Sequence, residues 1–253
     1  MATFVKTRAS APSGFFEAEA AGLRWLADGD GARVATVLRV EPGRIELERI
    51  AESPPRADHA LAFGAALART HRSGAAAFGA APGNWSGPLY IGKRPLPSTP
   101  TASWGEFYAH QRVMPYLATA VDAGNLTAPG ARIVEQACAL IATGVFDGDE
   151  PPSRLHGDLW NGNVLWSDQG VVLIDPAAHG GHRETDLAML ALFGCPYLAH
   201  IIEGYTAQYP LRDGWEARCS LHQLHPLAVH AAGHGPNYGA ALVHAAEKTL
   251  HLA

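Results

Sequence analysis

The chain is poor in cysteine, in long apolar runs and in basic clusters, and each shortage excludes a class of protein. Its three cysteines, Cys138, Cys195 and Cys219, are far apart and form no Cys-x-x-Cys pair. That argues against a disulfide framework and against a cysteine-ligated zinc site, and it fits a reducing cytoplasm. No stretch approaches the ~18 apolar residues of a membrane span, and the start lacks the basic-then-apolar layout of a signal peptide, so no membrane partner is expected. Lys and Arg number 19 against 24 Asp and Glu, a net charge of −5, and the cations are scattered without a run. Nucleic acid and anionic bilayers are therefore not the expected partners. The 13 histidines are dispersed and identify no metal cluster. What is present is 253 residues of 47% apolar composition, enough to bury a substantial core as one domain or as a small lobe plus a larger one.

The most informative stretch is His156-Gly157-Asp158-Leu159-Trp160-Asn161-Gly162-Asn163, followed seventeen residues after Asp158 by a second acid, Asp175, at the end of an apolar run. Between them, Val164 to Ser167 and Val171 to Ile174 are short β-prone runs, and Asp168-Gln169-Gly170 is turn chemistry of hairpin length. Pairing those arms makes Asn163 and Asp175 neighbours. An amide oxygen beside a carboxylate is a hard-oxygen site for a magnesium ion carrying nucleotide phosphates. Asp158, five residues before Asn163, then sits near the metal without binding it, placed to accept a hydroxyl proton during phosphoryl transfer.

The spacing resembles the catalytic loop of protein kinases, in which an Asp precedes an Asn by five residues and a strand later delivers a metal-binding Asp. The octapeptide, Ile174-Asp175-Pro176-Ala177 and Gly181-His182-Arg183-Glu184-Thr185-Asp186-Leu187-Ala188-Met189 resemble the fructosamine kinase family, within the aminoglycoside phosphotransferase and protein-kinase-like superfamily. Further stretches follow in the family's order: Leu67 to Arg72, Asn84 to Gly87, Ser103 to Tyr108 with Arg112, Leu224 to Leu227, and Asn237-Tyr238. His179 departs from the pattern, since many relatives would carry an aromatic residue there.

The resemblance implies an α+β, protein-kinase-like fold of two lobes: a small β-rich lobe over residues 1–52, hinged near 48–52, and a mostly helical lobe over 53–253. It implies ATP and magnesium as cofactors and a ketosamine as acceptor, either a small molecule or a glycated protein lysine. Thr3 to Thr7 alternates like a strand, and the helix after it carries Phe16, Ala20, Leu23 and Ala27 on one face with Glu19 beside them. By resemblance Lys6 meets the phosphates and Glu19 holds it. Val34 to Val40 and Arg44 to Ile50 form a hairpin about Glu41-Pro42-Gly43, and the backbone of Glu48, Arg49 and Ile50 would meet the adenine edge. His156 is expected to tie the loop together through hydrogen bonds. Asp186 either caps a helix or, by kinase analogy, accepts amides of the catalytic loop. Trp160 either packs or stacks on a sugar-like acceptor. Helical periodicity covers 58–71, 103–117, 130–145, 187–193 and 215–250.

Two rival readings use the same residues. Gly87 to Arg94 comes within one residue of a phosphate-binding Walker loop, but Arg94 replaces the needed hydroxyl and Pro88 removes an amide from the cradle. A metal-dependent hydrolase ligated by His156, Asp158, Asp175, His179 and His182 leaves Asn163 and the hairpin unused. Only five residues precede Lys6, too few for the glycine loop of a kinase small lobe. A truncated or mis-started chain is the preferred explanation; strands supplied by a partner, or a nucleotide-binding relic with little catalysis, are the others. An exposed small-lobe edge would be a pairing site for a second copy. The acceptor alternatives are aminoglycosides, choline and other sugars.

Overall fold

In the computed structural model, which describes residues 2–252, strand β1 (Thr3–Thr7) is followed by helix α1 (Phe15–Ala27) and by the hairpin of β2 (Val37–Glu41) and β3 (Arg44–Glu48). The three strands form an antiparallel sheet in the order β1-β3-β2, with Lys6 opposite Ile45. Helix α1 buries Phe16, Ala20, Leu23 and Leu26, while Ala27 is exposed. Positions three and four beyond Leu23 both border the apolar stripe, and the larger side chain takes the inward one. β2 starts later than alternation suggests because Val34 leaves the sheet to bridge Leu173, far along the chain.

Helix α2 (Ala57–Arg72) packs along α7 (Leu198–Gln208), which periodicity missed. The two backbones meet at paired glycines: a Cβ on Gly64 would lie 1.9 Å from Ile201 O, and one on Gly204 would lie 2.0 Å from Leu61 O. The Walker-like stretch is the hairpin of β4 (Leu89–Ile91) and β5 (Arg94–Leu96), closed by Gly92 at φ 55°. The loop turns back into β5 instead of opening a helix, so it cannot cradle phosphate as a Walker loop does.

The helix expected over 103–117 is broken into four pieces: α3 (Trp104–Phe107), a π-turn (Tyr108–Val113), a 3₁₀ turn (Met114–Tyr116) and α4 (Leu117–Asp122). Pro115 explains the break, since it has no N–H to donate and its ring crowds the carbonyl four residues back. Helix α5 (Ala128–Ala142) comes next. The 215–250 stretch is two helices, α8 (Trp215–Ala231) and α9 (Pro236–Leu250), parted at Gly233-His234-Gly235. Pro226 inside α8 removes the amide donor for His222 O, and the Tyr108 hydroxyl lies in its place, 2.7 Å from that oxygen and 3.0 Å from Leu221 O, while accepting His225 N–H at 3.1 Å.

Strand β6 (Ser153–Leu155) pairs with β9 (His179–Gly181), and β7 (Val164–Ser167) pairs with β8 (Gly170–Leu173). Helix α6 (Glu184–Phe193) follows β9. Two apolar clusters result. One unites the small sheet and α1 with α2, α7 and the β7–β8 hairpin; the other joins α3 to α5 with α8 and α9. The small sheet is thus not cored by itself: Ala35 N–H donates to Leu173 O at 2.9 Å and Ser53 N–H to Trp166 O at 2.8 Å, stitching it to the hairpin that carries the acids.

Candidate active site

The loop between β6 and β7 is held from three directions. Asp186, on the first turn of α6, accepts His156 N–H at 2.8 Å and Gly157 N–H at 3.0 Å through its two oxygens. The capping reading fails, because no side chain caps α6 and Asp186 faces the loop instead. His71 Nε2 also reaches Asp186 at 3.2 Å, while its Nδ1 meets the Tyr205 hydroxyl at 2.8 Å. Neither His71 nor Tyr205 was expected in this role; His71 stood only within a helical run and within the Leu67 to Arg72 stretch that resembles the family, and Tyr205 had no signal. His71 and the loop amides hold the Asp186 carboxyl below the usual carboxylate range although burial opposes them.

The His156 ring lies 2.9 Å from Ile174 O through Nε2 and accepts Asp158 N–H through Nδ1 at 3.3 Å. These contacts assign the neutral Nε2–H tautomer, and burial lowers the ring's pKa in the same sense. The loop is therefore tied to the end of the hairpin before any ligand arrives.

Strand register does bring Asn163 beside Asp175. Val164 pairs with Leu173, Ile174 N–H donates to Asn163 O at 3.1 Å, and Asn163 Nδ2 lies 3.5 Å from Asp175 O. The Asn163 amide donates mainly to Asp158, to its backbone oxygen at 2.8 Å and to its carboxylate at 3.2 Å. Oδ1 of Asn163 takes no part in these bonds. Asp175 adopts a left-handed backbone at φ 54°, and its carboxylate accepts from Lys6 Nζ, which also donates to Glu19 at 2.7 Å. Burial alone would lower the lysine's pKa, but the two acids raise it, so the ammonium stays charged. Burial is the main cause of a raised Glu19 pKa, which Lys6 opposes. Burial, with Asp175 and Asp186 nearby, pushes Asp158 up to about 7.

These groups line a cavity of about 730 Å³ whose other wall is the β4–β5 hairpin, through Leu89, Tyr90, Gly92 and Lys93. That wall was not foreseen; the stretch drew notice only as a failed Walker loop. Arg8, two residues beyond Lys6, also lines it and stacks on Phe15 at 4.8 Å. Trp160 stands at the rim, 41% exposed, its indole lying over Gly162, where a Cβ would meet it at 2.2 Å. A second cavity of about 230 Å³ opens beyond Lys6 and Asp175 and is walled by Ala35, Leu47, Ile50, Leu165 and Ile174. Phe4 completes its apolar lining, Lys6, Glu48, Arg49, Glu52 and Asp175 add charged groups, and the cavity runs along the 48–52 segment. Glu48 N–H is bonded to Thr36 O and Arg49 N–H to Ala2 O, both at 2.9 Å. Of the amides of residues 48–50, Ile50 N–H lies outside these bonds.

The hydrolase ligand set does not converge. His179 joins Arg112, whose Nε donates to it at 3.2 Å, and its Nδ1 lies 2.8 Å from Ala177 O; a neutral histidine thereby fills a position where an aromatic residue was anticipated. The dispersed histidines do assemble one donor group, His182, Glu184 and His222, with ligand atoms within 4.8 Å of one another. Both oxygens of Glu184 are occupied by Arg218, at 2.7 and 2.9 Å, so the group is already neutralised by a guanidinium.

Comparison with known proteins agrees with this geometry. The sequence profile described as Fructosamine kinase matches residues 1–252. A Thermus thermophilus protein named "Probable ketoamine kinase" is 33% identical over 94% of this chain and 84% of its own length. A crystal structure from Thermobifida fusca, bearing a provisional fructosamine-3-kinase name, is 48% identical with a TM-score of 0.91, covering 98% of this chain and 85% of that one. The choline kinase of Streptococcus pneumoniae, 17% identical with a TM-score of 0.65 over 99% of this chain and 84% of that one, shares the fold alone. A loop fixed by Asp186, two cavities meeting at Lys6 and Asp175, and a profile match across the described residues lead to one assignment: the chain belongs to the fructosamine kinase family.

Proposed function

We propose that Asp158 is the base of a phosphoryl transfer from ATP to a sugar hydroxyl. The chain is an ATP-dependent ketosamine kinase by family, and the roles of its residues follow from chemistry. The adenine fits the apolar slot with Ile50 N–H on its edge, and Lys6, steadied by Glu19, meets the phosphates. Asn163 Oδ1 and the Asp175 carboxylate are hard oxygen donors on one wall, and Asp175 already attracts a cation in the form of Lys6. Such a pair suits magnesium, which when bound supplies charge neutralisation of the phosphates. The acceptor hydroxyl oxygen bonds to the γ-phosphorus, the bond to the bridging oxygen of ADP breaks, and the hydroxyl proton passes to Asp158. A carboxyl poised at about 7 takes that proton and returns it to solvent near neutral pH. Trp160 at the rim offers a face for the sugar.

The observation that carries this reading is a half-buried carboxylate, bonded to Asn163 and lining the cavity that Lys6 and Asp175 share. ATP consumption with ribulosamine, fructosamine and erythrulosamine adducts tests it. Asp158→Asn is expected to lower kcat by ~10²-fold or more; unchanged turnover overturns the base assignment. Magnesium-dependent ATP binding without turnover on any adduct favours a binding protein instead.

Three finer points belong to the same reading. The acceptor is a free ketosamine or a glycated lysine on a protein, which a glycated-protein substrate distinguishes. The setting is the cytoplasm, in keeping with three unpaired cysteines; none of the described helices is long and apolar enough to cross a membrane. A second copy pairs along β1, whose Phe4 and Val5 are exposed, and sedimentation would reveal the dimer.

A further inference from the structure

Trp160 does not end the rim; it begins a series of rings. Its indole meets Phe193 edge-on at 6.3 Å, Phe193 meets His230 at 4.7 Å, and Tyr238 lies 5.0 Å from His230 and 6.5 Å from Phe193. Exposed His234 flanks His230 at 5.0 Å. The rings come from four places in the chain: the catalytic loop, the end of α6, the end of α8 and the start of α9. Arg94 Nη2, donating to Ala232 O at 2.5 Å, anchors the α8–α9 turn to the hairpin that walls the cavity.

Packing alone does not account for this surface. Leu224 and Ala228 of α8 and Leu242 and Ala246 of α9 are already fully buried in one apolar cluster. Phe193, His230 and Tyr238 stay half-exposed and Trp160 and His234 exposed, leaving a contiguous apolar strip in water beside a polar cavity, the mark of a binding surface. His230 Nδ1 lies 2.7 Å from Pro226 O, and burial lowers the ring's pKa, so the strip presents a neutral imidazole. Lys93 and Arg8 on the facing wall add cations to the cavity.

We propose that Phe193, His230 and Tyr238, reached across Trp160, form an aromatic subsite for the substituent carried on the ketosamine nitrogen, favouring a flat, uncharged group. The sugar sits over Asp158, and the amine end leaves the cavity along the rings, where a planar group stacks. The inference rests on the ketosamine reading.

The test compares the ribulosamine adducts of methylamine and benzylamine. The wild-type protein is expected to favour the benzyl adduct in kcat/KM by roughly tenfold, chiefly through KM, the scale of a filled apolar pocket. Phe193→Ala and Tyr238→Ala should bring that ratio close to one. Because both adducts are compared within one protein preparation, partial misfolding cancels. His234→Ala, at an exposed position, should reduce the ratio by a smaller factor and gives a variant with little packing to lose. Equal treatment of the two adducts by the wild type, or a ratio unmoved in all three variants, overturns the subsite. Turnover of neither adduct overturns the ketosamine reading itself, and the subsite with it.

Discussion

Two carboxyls a short distance apart are tuned in opposite directions, and stability should report both. Asp158 is raised to about 7 from an ordinary 3.8. Between those pH values the unfolded chain has lost a proton that the folded one keeps, so stability falls as pH rises through the window. Asp158→Asn removes the titration and should melt higher than wild type at pH 8 while losing turnover, each kcal/mol appearing as roughly 2–4 °C in Tm. Equal melting of the two proteins at pH 8 would mean that the carboxyl is not desolvated. Asp186 is lowered, so its contribution is present above the ordinary carboxylate range and is lost as pH falls through the folded value. Asp186→Asn keeps the shape but cannot accept two amides and His71 alike. It should cost about 1–3 kcal/mol and reduce kcat more than the KM for ATP, because Asp186 holds the loop that carries Asp158, the proposed base.

Among elements, the paired approach of Gly64 and Gly204 sets how closely α2 and α7 lie. Either glycine replaced by alanine drives a methyl into a carbonyl, and overpacking of this kind costs about 1–3 kcal/mol. A thermal melt of Gly64→Ala should show the loss; no change would place the helices further apart than described. The same elements show what the sequence disclosed. Turn chemistry and two apolar arms sufficed to predict the β7–β8 hairpin and the meeting of Asn163 with Asp175, because that pairing is local. Alternation gave β1, and periodicity gave α2 to within a residue. The β6–β9 pair escaped because its six residues, three of them Gly or Ser, carry no alternating pattern. Helix α7 escaped because its apolar face is short and partly glycine. His71, Tyr205, Lys93 and Phe193 were illegible for a different reason: they reach the site through tertiary contacts that no spacing encodes.

At the scale of the molecule, the proposed phosphate and metal groups come from both halves, so nucleotide bound as proposed would touch the two at once. Lys6 and Glu19 belong to the sheet and α1, Asn163 and Asp175 to the hairpin beyond. ATP with magnesium at about a hundredfold over its Kd should therefore stabilise the whole fold by ~2.7 kcal/mol. Lys6→Ala should abolish most of that gain, and differential scanning fluorimetry reads it directly. A full shift retained in that variant would remove Lys6 from the phosphate site.

Asp175 holds a left-handed backbone that glycine adopts at no cost and that other side chains resist. Asp175→Gly should outlast Asp175→Ala on heating by about 1 kcal/mol, though neither turns over. Glycine would ease the backbone there but would give up the carboxylate that meets Lys6, so relief of the main chain and retention of the ion pair are set against each other at this one position.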